Sequence, residues 1–197
     1  TPNFVAKFNP QSNKNISNEE RLIDYSNIYS IDRLSSSTTL EGGESITIGN
    51  EFKLFNNIDK SSEVFSLNLA GSFRADENFD LPKSSYISQK TSNLVGQSKI
   101  KLNEFLDLEY DFLSDNNLGQ FHYHNINSKI KINNFVSTFE FIEEGDQIGN
   151  THFIANETSL KFDDTKSLKF RTRKNKKTDL TEYYNLIYEY KMDCLTA

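Results

Sequence analysis

The 197-residue sequence has no tryptophan, one cysteine, one methionine, three prolines and eight glycines. So little Gly and Pro excludes a collagen-like repeat or a Pro/Gly-rich linker. A lone cysteine, Cys194, cannot close an internal disulfide, which leaves a free thiol or a bridge to a cysteine elsewhere. No apolar run approaches the ~20 residues that a membrane-spanning helix needs. Positive charge is also in short supply. The 22 Lys and Arg against 28 Asp and Glu give a formal net charge of −6, which argues against a general nucleic-acid binder. No basic n-region or apolar h-region opens the chain at Thr1-Pro2-Asn3, and it closes straight after a patterned run. Together these features suggest a fragment cut from a longer protein.

Large rings are plentiful: 16 Phe and 9 Tyr bring aromatics to 13% of a chain that is only 36% apolar. Low apolarity with high charge would suggest disorder if the large side chains were scattered at random. They are periodic instead. From Ser45 onward apolar and polar residues alternate with period two, the signature of half-buried strands. Ile46, Ile48, Phe52 and Leu54 oppose Thr47, Glu51 and Lys53, and Phe65, Leu67, Leu69 and Phe73 oppose Ser66, Asn68, Ser72 and Arg74. The clearest run sets Leu106, Leu108, Tyr110 and Phe112 against Asp107, Glu109 and Asp111. Later runs set Leu168, Phe170 and Thr172 against Lys169, Arg171 and Arg173, and Tyr184, Leu186, Tyr188 and Tyr190 against Tyr183, Asn185, Ile187 and Glu189. Between Phe121 and Ile132 the phase changes, since Phe121 and Tyr123 disagree with Ile126, Ile130 and Ile132. No helix of convincing length is expected.

The connections come in two sizes. Tight ones are expected at Asn103-Glu104, Asn133-Asn134 and Asp163-Asp164, where the residues tolerate turn geometry. Long polar ones run over about 9–44 and 75–97, and more modestly over 144–150 and 174–178. Short turns on one side and long loops on the other, with strands that alternate apolar and polar, are the pattern of an outer-membrane barrel. The fold expected is all-β, an antiparallel up-and-down transmembrane β-barrel segment. It would be a partial barrel of about eight to ten strands with long polar loops on one side, covering 1–197.

Alternation alone fits a soluble sandwich as well as a barrel, because each needs one apolar face per strand. Dense charge on the polar face favours an enclosed aqueous cavity, across which the acidic run Asp107-Glu109-Asp111 could pair with the basic run Lys169-Arg171-Arg173. Tyr184 and Tyr190 suit an interfacial aromatic girdle, although tyrosines are common in sheets.

Chemistry-bearing motifs are sparse. His122 and His124 lie two apart on an expected strand and so should point the same way, with His152 a remote third candidate. Two imidazoles do not make a metal site. No Gly-x-Ser-x-Gly elbow or phosphate-cradling glycine loop is present. The basic stretch from Arg171 to Lys177 could attract phosphate, but a charged hairpin tip at a membrane surface explains it as well. No catalytic residue, metal or cofactor is assigned.

Several phrases together resemble the LPS-assembly outer-membrane protein (LptD) family. They are Ile23-Asp24-Tyr25-Ser26-Asn27-Ile28-Tyr29-Ser30-Ile31-Asp32-Arg33 with Glu41-Gly42-Gly43-Glu44-Ser45-Ile46-Thr47-Ile48-Gly49, Leu81-Pro82-Lys83-Ser84-Ser85 with Thr91-Ser92-Asn93-Leu94-Val95-Gly96, and Phe170-Arg171-Thr172-Arg173 through Leu180–Tyr190 to Asp193-Cys194. The resemblance spans nearly the whole chain. It implies a C-terminal part of a large barrel in the outer membrane of a Gram-negative bacterium, lacking the N-terminal jelly-roll and the closing strands. The family is a translocon for lipopolysaccharide, not an enzyme. Its implied partners are lipopolysaccharide, membrane lipids, a plug lipoprotein of the LptE type and, through the jelly-roll, a periplasmic bridge protein of the LptA type.

The resemblance further implies a disulfide from Cys194 to the missing N-terminal region, although many members carry adjacent cysteines where Asp193 and Leu195 flank a single one here. On this reading Asp107, Glu109, Asp111, Lys169, Arg171, Arg173, Asn185 and Glu189 face the lumen as candidates for contact with lipopolysaccharide. Leu106, Leu108, Tyr110, Phe112, Leu186 and Tyr188 then face lipid. The alternatives are a general outer-membrane pore and a secreted β-sandwich binding module.

Overall fold

The computed structural model describes residues 1–36, 38–58, 62–145, 148–192 and 195–196. Its strands are β1 (Pro2–Asn9), β2 (Gly43–Phe55), β3 (Glu63–Arg74), β4 (Leu94–Leu102), β5 (Leu106–Ser114), β6 (Phe121–Ile132), β7 (Phe135–Glu144), β8 (His152–Lys161), β9 (Lys166–Asn175), β10 (Leu180–Met192) and the two-residue β11 (Leu195–Thr196). Each pairs antiparallel with the next in chain order, giving one up-and-down sheet. β1 and β11 stand at its two ends, so the sheet is open. Only a three-residue 3-10 turn, Lys83–Ser85, interrupts the all-β architecture among the described residues.

Turn chemistry sets the two rims. Asn103 and Asn133 take the left-handed conformation, with φ of 57° and 50°, in the β4–β5 and β6–β7 turns, a region that asparagine tolerates. In the β8–β9 turn the Asp163 carboxylate accepts from the Thr165 amide at 2.8 Å and its hydroxyl at 2.6 Å. Those turns share one rim. The connections over 10–42, 75–93, 115–120, 145–151 and 176–179 share the other.

Register fixes which side chains share a face, because directly opposed residues of an antiparallel pair point the same way. Leu108 is opposed by Ile100 on one side and Ser128 on the other, and Phe170 by Thr158 and Leu186. Among the described residues nothing covers this apolar face. Phe4, Ile48, Phe52, Phe139, Leu186 and Tyr188 are all exposed, Leu186 by 70%. Phe112 is the exception, since its ring fills the space in front of Gly96 and stacks on Tyr110 at 5.3 Å between centroids.

The hydrophobic core lies on the opposite, polar face. Ile16, Ile23, Ile28 and Leu34 from the β1–β2 connection, and Leu81 and Ile87 from the β3–β4 connection, pack onto Ala70, Val95, Leu113 and Tyr123 of the sheet. Burying each Ile or Leu stabilises the arrangement by about 1.5–3 kcal/mol. The long polar loops are therefore folded against the sheet and carry much of the core. Asp24 shapes the first of them by accepting from the Ser26 amide at 2.8 Å and the Ile28 amide, through its own carbonyl, at 3.0 Å.

The two histidines do not point the same way as their spacing suggests. Leu113 opposes Tyr123 but Ser114 opposes Phe121, so one extra residue sits in β6. This bulge turns His122 to the polar side, stacked on Tyr86 with centroids 5.3 Å apart. His124 stays on the apolar side between Tyr110 and Phe121, with its Nδ1 2.8 Å from the Tyr110 hydroxyl. An inserted residue inverts facing on one side of itself, which accounts for the phase change in the sequence.

Candidate functional site: the polar face

A continuous row of opposed residues links the acidic and basic strands. Glu109 faces Asn127, Asn127 faces Glu140, Glu140 faces Ala155, Ala155 faces Arg173, and Arg173 faces Tyr183. Asp107 and Asp111 flank Glu109 at period two, as Lys169 and Arg171 precede Arg173, and Asn185 opposes Arg171. Glu189 opposes Ser167 and takes a hydrogen bond from its hydroxyl at 3.3 Å. All eight polar candidates thus occupy one face, while Leu106, Leu108, Tyr110, Phe112, Leu186 and Tyr188 occupy the other. Cys194 lies outside the described residues.

The acidic and basic runs pair with their own neighbours and not with each other. The Lys99 ammonium is 3.0 Å from Glu109, Arg171 is 2.7 Å from Glu157, and Arg173 is 2.9 Å from Glu182. The Arg173 guanidinium also lies 3.9 Å above the Phe153 ring. Gln97 donates to Glu109 at 3.0 Å and to Asp111 at 2.8 Å, and Asn125 reaches the other Asp111 oxygen at 3.4 Å. Asp107 and Glu109 line a concavity of about 440 Å³ with Lys99, Lys101 and Lys129. Lys169 and Glu189 line another of about 250 Å³. The face is a quilt of alternating donors and acceptors, able to solvate a polar, charged solute at many points without one deep pocket.

A second polar feature escapes the sequence pattern. Arg33 is fully buried and grips Glu41 through Nε to Oε2 at 2.6 Å and Nη2 to Oε1 at 2.5 Å. Its Nη1 donates to Ser72 at 2.8 Å, tying the β1–β2 connection to β3. Arg74 donates to the same Glu41 carboxylate and to the Gly42 carbonyl. Burial pushes the Glu41 carboxyl up, but the Arg33 hydrogen bonds and the charges of Arg33, Lys7 and Arg74 prevail and hold it below the usual range. Nothing local announces this cluster, because its members meet only when the connection folds onto the sheet.

Among the described residues no group of three or more His, Cys, Asp or Glu is placed to hold a metal ion, and no helix is long and apolar enough to cross a membrane, which does not bear on strands. No protein-family model matches the chain, and no curated protein matches its sequence.

Proposed function

We propose that the chain is part of a β-barrel in the outer membrane of a Gram-negative bacterium, and that this barrel assembles lipopolysaccharide into the outer leaflet. The observation that carries the reading is the inversion of the sheet. Its core and charges lie on one face, and the other presents exposed Phe, Leu, Ile and Tyr side chains along successive strands. An exposed apolar surface of that extent marks a lipid or protein contact, and strands with lipid on one side and water on the other alternate in this way. Closure of the barrel then requires the two ends of the sheet to pair with each other or with further strands.

The polar face suits the cargo. A phosphorylated sugar head cannot enter hydrocarbon because burying its charge costs too much, so it travels along the charged face while its acyl chains leave through a lateral opening between strands. The lumen-facing assignments, the plug lipoprotein and the periplasmic bridge protein follow from the resemblance to the LptD family. The test is photo-crosslinking in cells. Crosslinkers at Lys169 or Arg171 should trap lipopolysaccharide, and those at Leu168 or Phe170 should not. The reverse pattern would invert the facing, and capture at neither pair would leave a general pore as the better reading.

A further inference from the structure

Among the described residues of β4–β10, acidic, basic and imidazole side chains occur on the apolar face at two levels only. At the long-loop end His124 opposes Glu143, Glu143 opposes His152, and Lys174 opposes Ile154 one row nearer the centre. At the short-turn end Lys166 opposes Tyr190. Both lysines pair with an acid of the adjoining turn, Lys174 with Asp179 at 2.6 Å and Lys166 with Asp163 at 3.7 Å, and so reach away from the centre. The polar face of the same strands carries charge in between, at Glu157, Lys169 and Arg171, so the confinement to two levels belongs to one face and not to the turns.

Lys166 and Lys174 are eight residues apart on β9. At ~3.3 Å per residue that is about 26 Å along the strand, and about 20 Å across a sheet tilted by ~40°. Outward-reaching lysines lengthen this charge-free span toward the about 25 Å apolar band of a membrane barrel. Inside the span Ser137, Asn156 and Thr158 satisfy one another. The Ser137 and Thr158 hydroxyls are 2.8 Å apart, and Asn156 donates to Ser137 at 3.1 Å and accepts from Thr158 at 3.1 Å. Hydrocarbon offers polar groups no partner, and this cluster is already closed on itself.

We infer that the two levels are the headgroup boundaries of a lipid bilayer, with His124, Glu143, His152 and Lys174 at one headgroup layer, Lys166 at the other, and Phe139 and Phe170 among the acyl chains between them. This rests on the membrane reading above and not on lipopolysaccharide export. The full-length protein is reconstituted in phosphatidylcholine vesicles that carry a photoactivatable diazirine either at the acyl-chain end or on the headgroup, and labelled residues are read by mass spectrometry. The chain-end probe should label Phe139 and Phe170 several fold more than Glu143, His152 or Lys166, and the headgroup probe should show the reverse order.

Moving charge gives a second measurement. Phe139→Lys puts an ammonium inside the span and should lower the yield of vesicle-folded protein several fold, whereas Lys174→Glu, at the boundary, should leave it nearly unchanged. Chain-end labelling of Glu143 or His152 equal to that of Phe139, headgroup labelling of Phe139, or full folding of Phe139→Lys overturns the two levels and leaves the membrane reading standing. Labelling of this face by neither probe would end the membrane reading, and this inference with it. Crosslinking to lipopolysaccharide along β9 bears on export alone.

Discussion

Arg33 and Glu41 meet through two parallel hydrogen bonds beneath the polar face, and that one carboxylate also serves Arg74 and Lys7. Losing the acid is therefore a different event from losing one base. Glu41→Gln strands three cations and should cost about 3–5 kcal/mol. Arg33→Met leaves Glu41 compensated by Arg74 and should cost less, about 1–3 kcal/mol. Denaturant midpoints of the detergent-folded protein read the order directly. An Arg33→Met change as costly as Glu41→Gln would mean that charge balance is not what holds the cluster.

The same carboxylate sets an acid limit for the β1–β2 connection. The Glu41 carboxyl titrates below its ordinary range in the fold. A depressed folded pKa contributes stability that is present above the unfolded value, near 4.3, and is lost as pH falls through the folded value. Pepsin should therefore leave segment 10–42 intact at pH 5 and cut it progressively at pH values below the ordinary glutamate range. In Glu41→Gln the segment should be cut at both pH values. Protection lost already between pH 7 and 5 would point to a different group.

Gly49 makes room for Tyr29. A Cβ at position 49 would collide with the Tyr29 hydroxyl and would lie 2.5 Å from the Leu69 carbonyl oxygen and 2.9 Å from the Ala70 Cβ. Gly49→Ala should cost about 1–3 kcal/mol by overpacking. Removing the hydroxyl with Tyr29→Phe should return part of that loss, so the double variant falls short of the sum of the singles. Burial pushes the Tyr29 phenol up to about 12, so the hydroxyl stays neutral and the comparison is not confounded by ionisation near neutral pH. Strict additivity of the two changes would show that Tyr29 does not occupy this site in solution.

What could be read from the sequence follows the reach of each signal. Period two is local, so Leu106 to Phe112 gave both the strand and the facing of its residues, and Asn103, Asn133 and Asp163 marked turns through their own backbone preferences. β1 is harder to read because Phe4, Val5 and Ala6 are apolar in succession and blur the alternation. The bulge at His122 left a trace only as a change of phase, and residue spacing then put His122 and His124 on one face, which the register shift separates. Ile16, Ile23, Ile28 and Leu34 follow no period, so a segment that looks like polar loop gives no sign that it carries the core. Arg33 and Glu41 lie in that same segment with no periodic signal, and Arg74 is 33 residues beyond Glu41, so their meeting depends on the segment folding onto the sheet.

Arg171 offers a way to separate a structural charge from one kept for a ligand. It sits 2.7 Å from Glu157 on the neighbouring strand, but both side chains are about 40% exposed, at 42% and 43%. Ion pairs this accessible contribute ~0–1 kcal/mol. Arg171→Gln should therefore leave the denaturant midpoint nearly unchanged. If the polar face carries phosphorylated sugar, the same change should lower the yield of lipopolysaccharide crosslinked at Lys169 by several fold, because a cation beside the path is gone while the sheet is intact. A loss of stability well beyond 1 kcal/mol would make Arg171 a strut of the β8–β9 pair. Unchanged crosslinking with unchanged stability would remove it from the path of the cargo altogether.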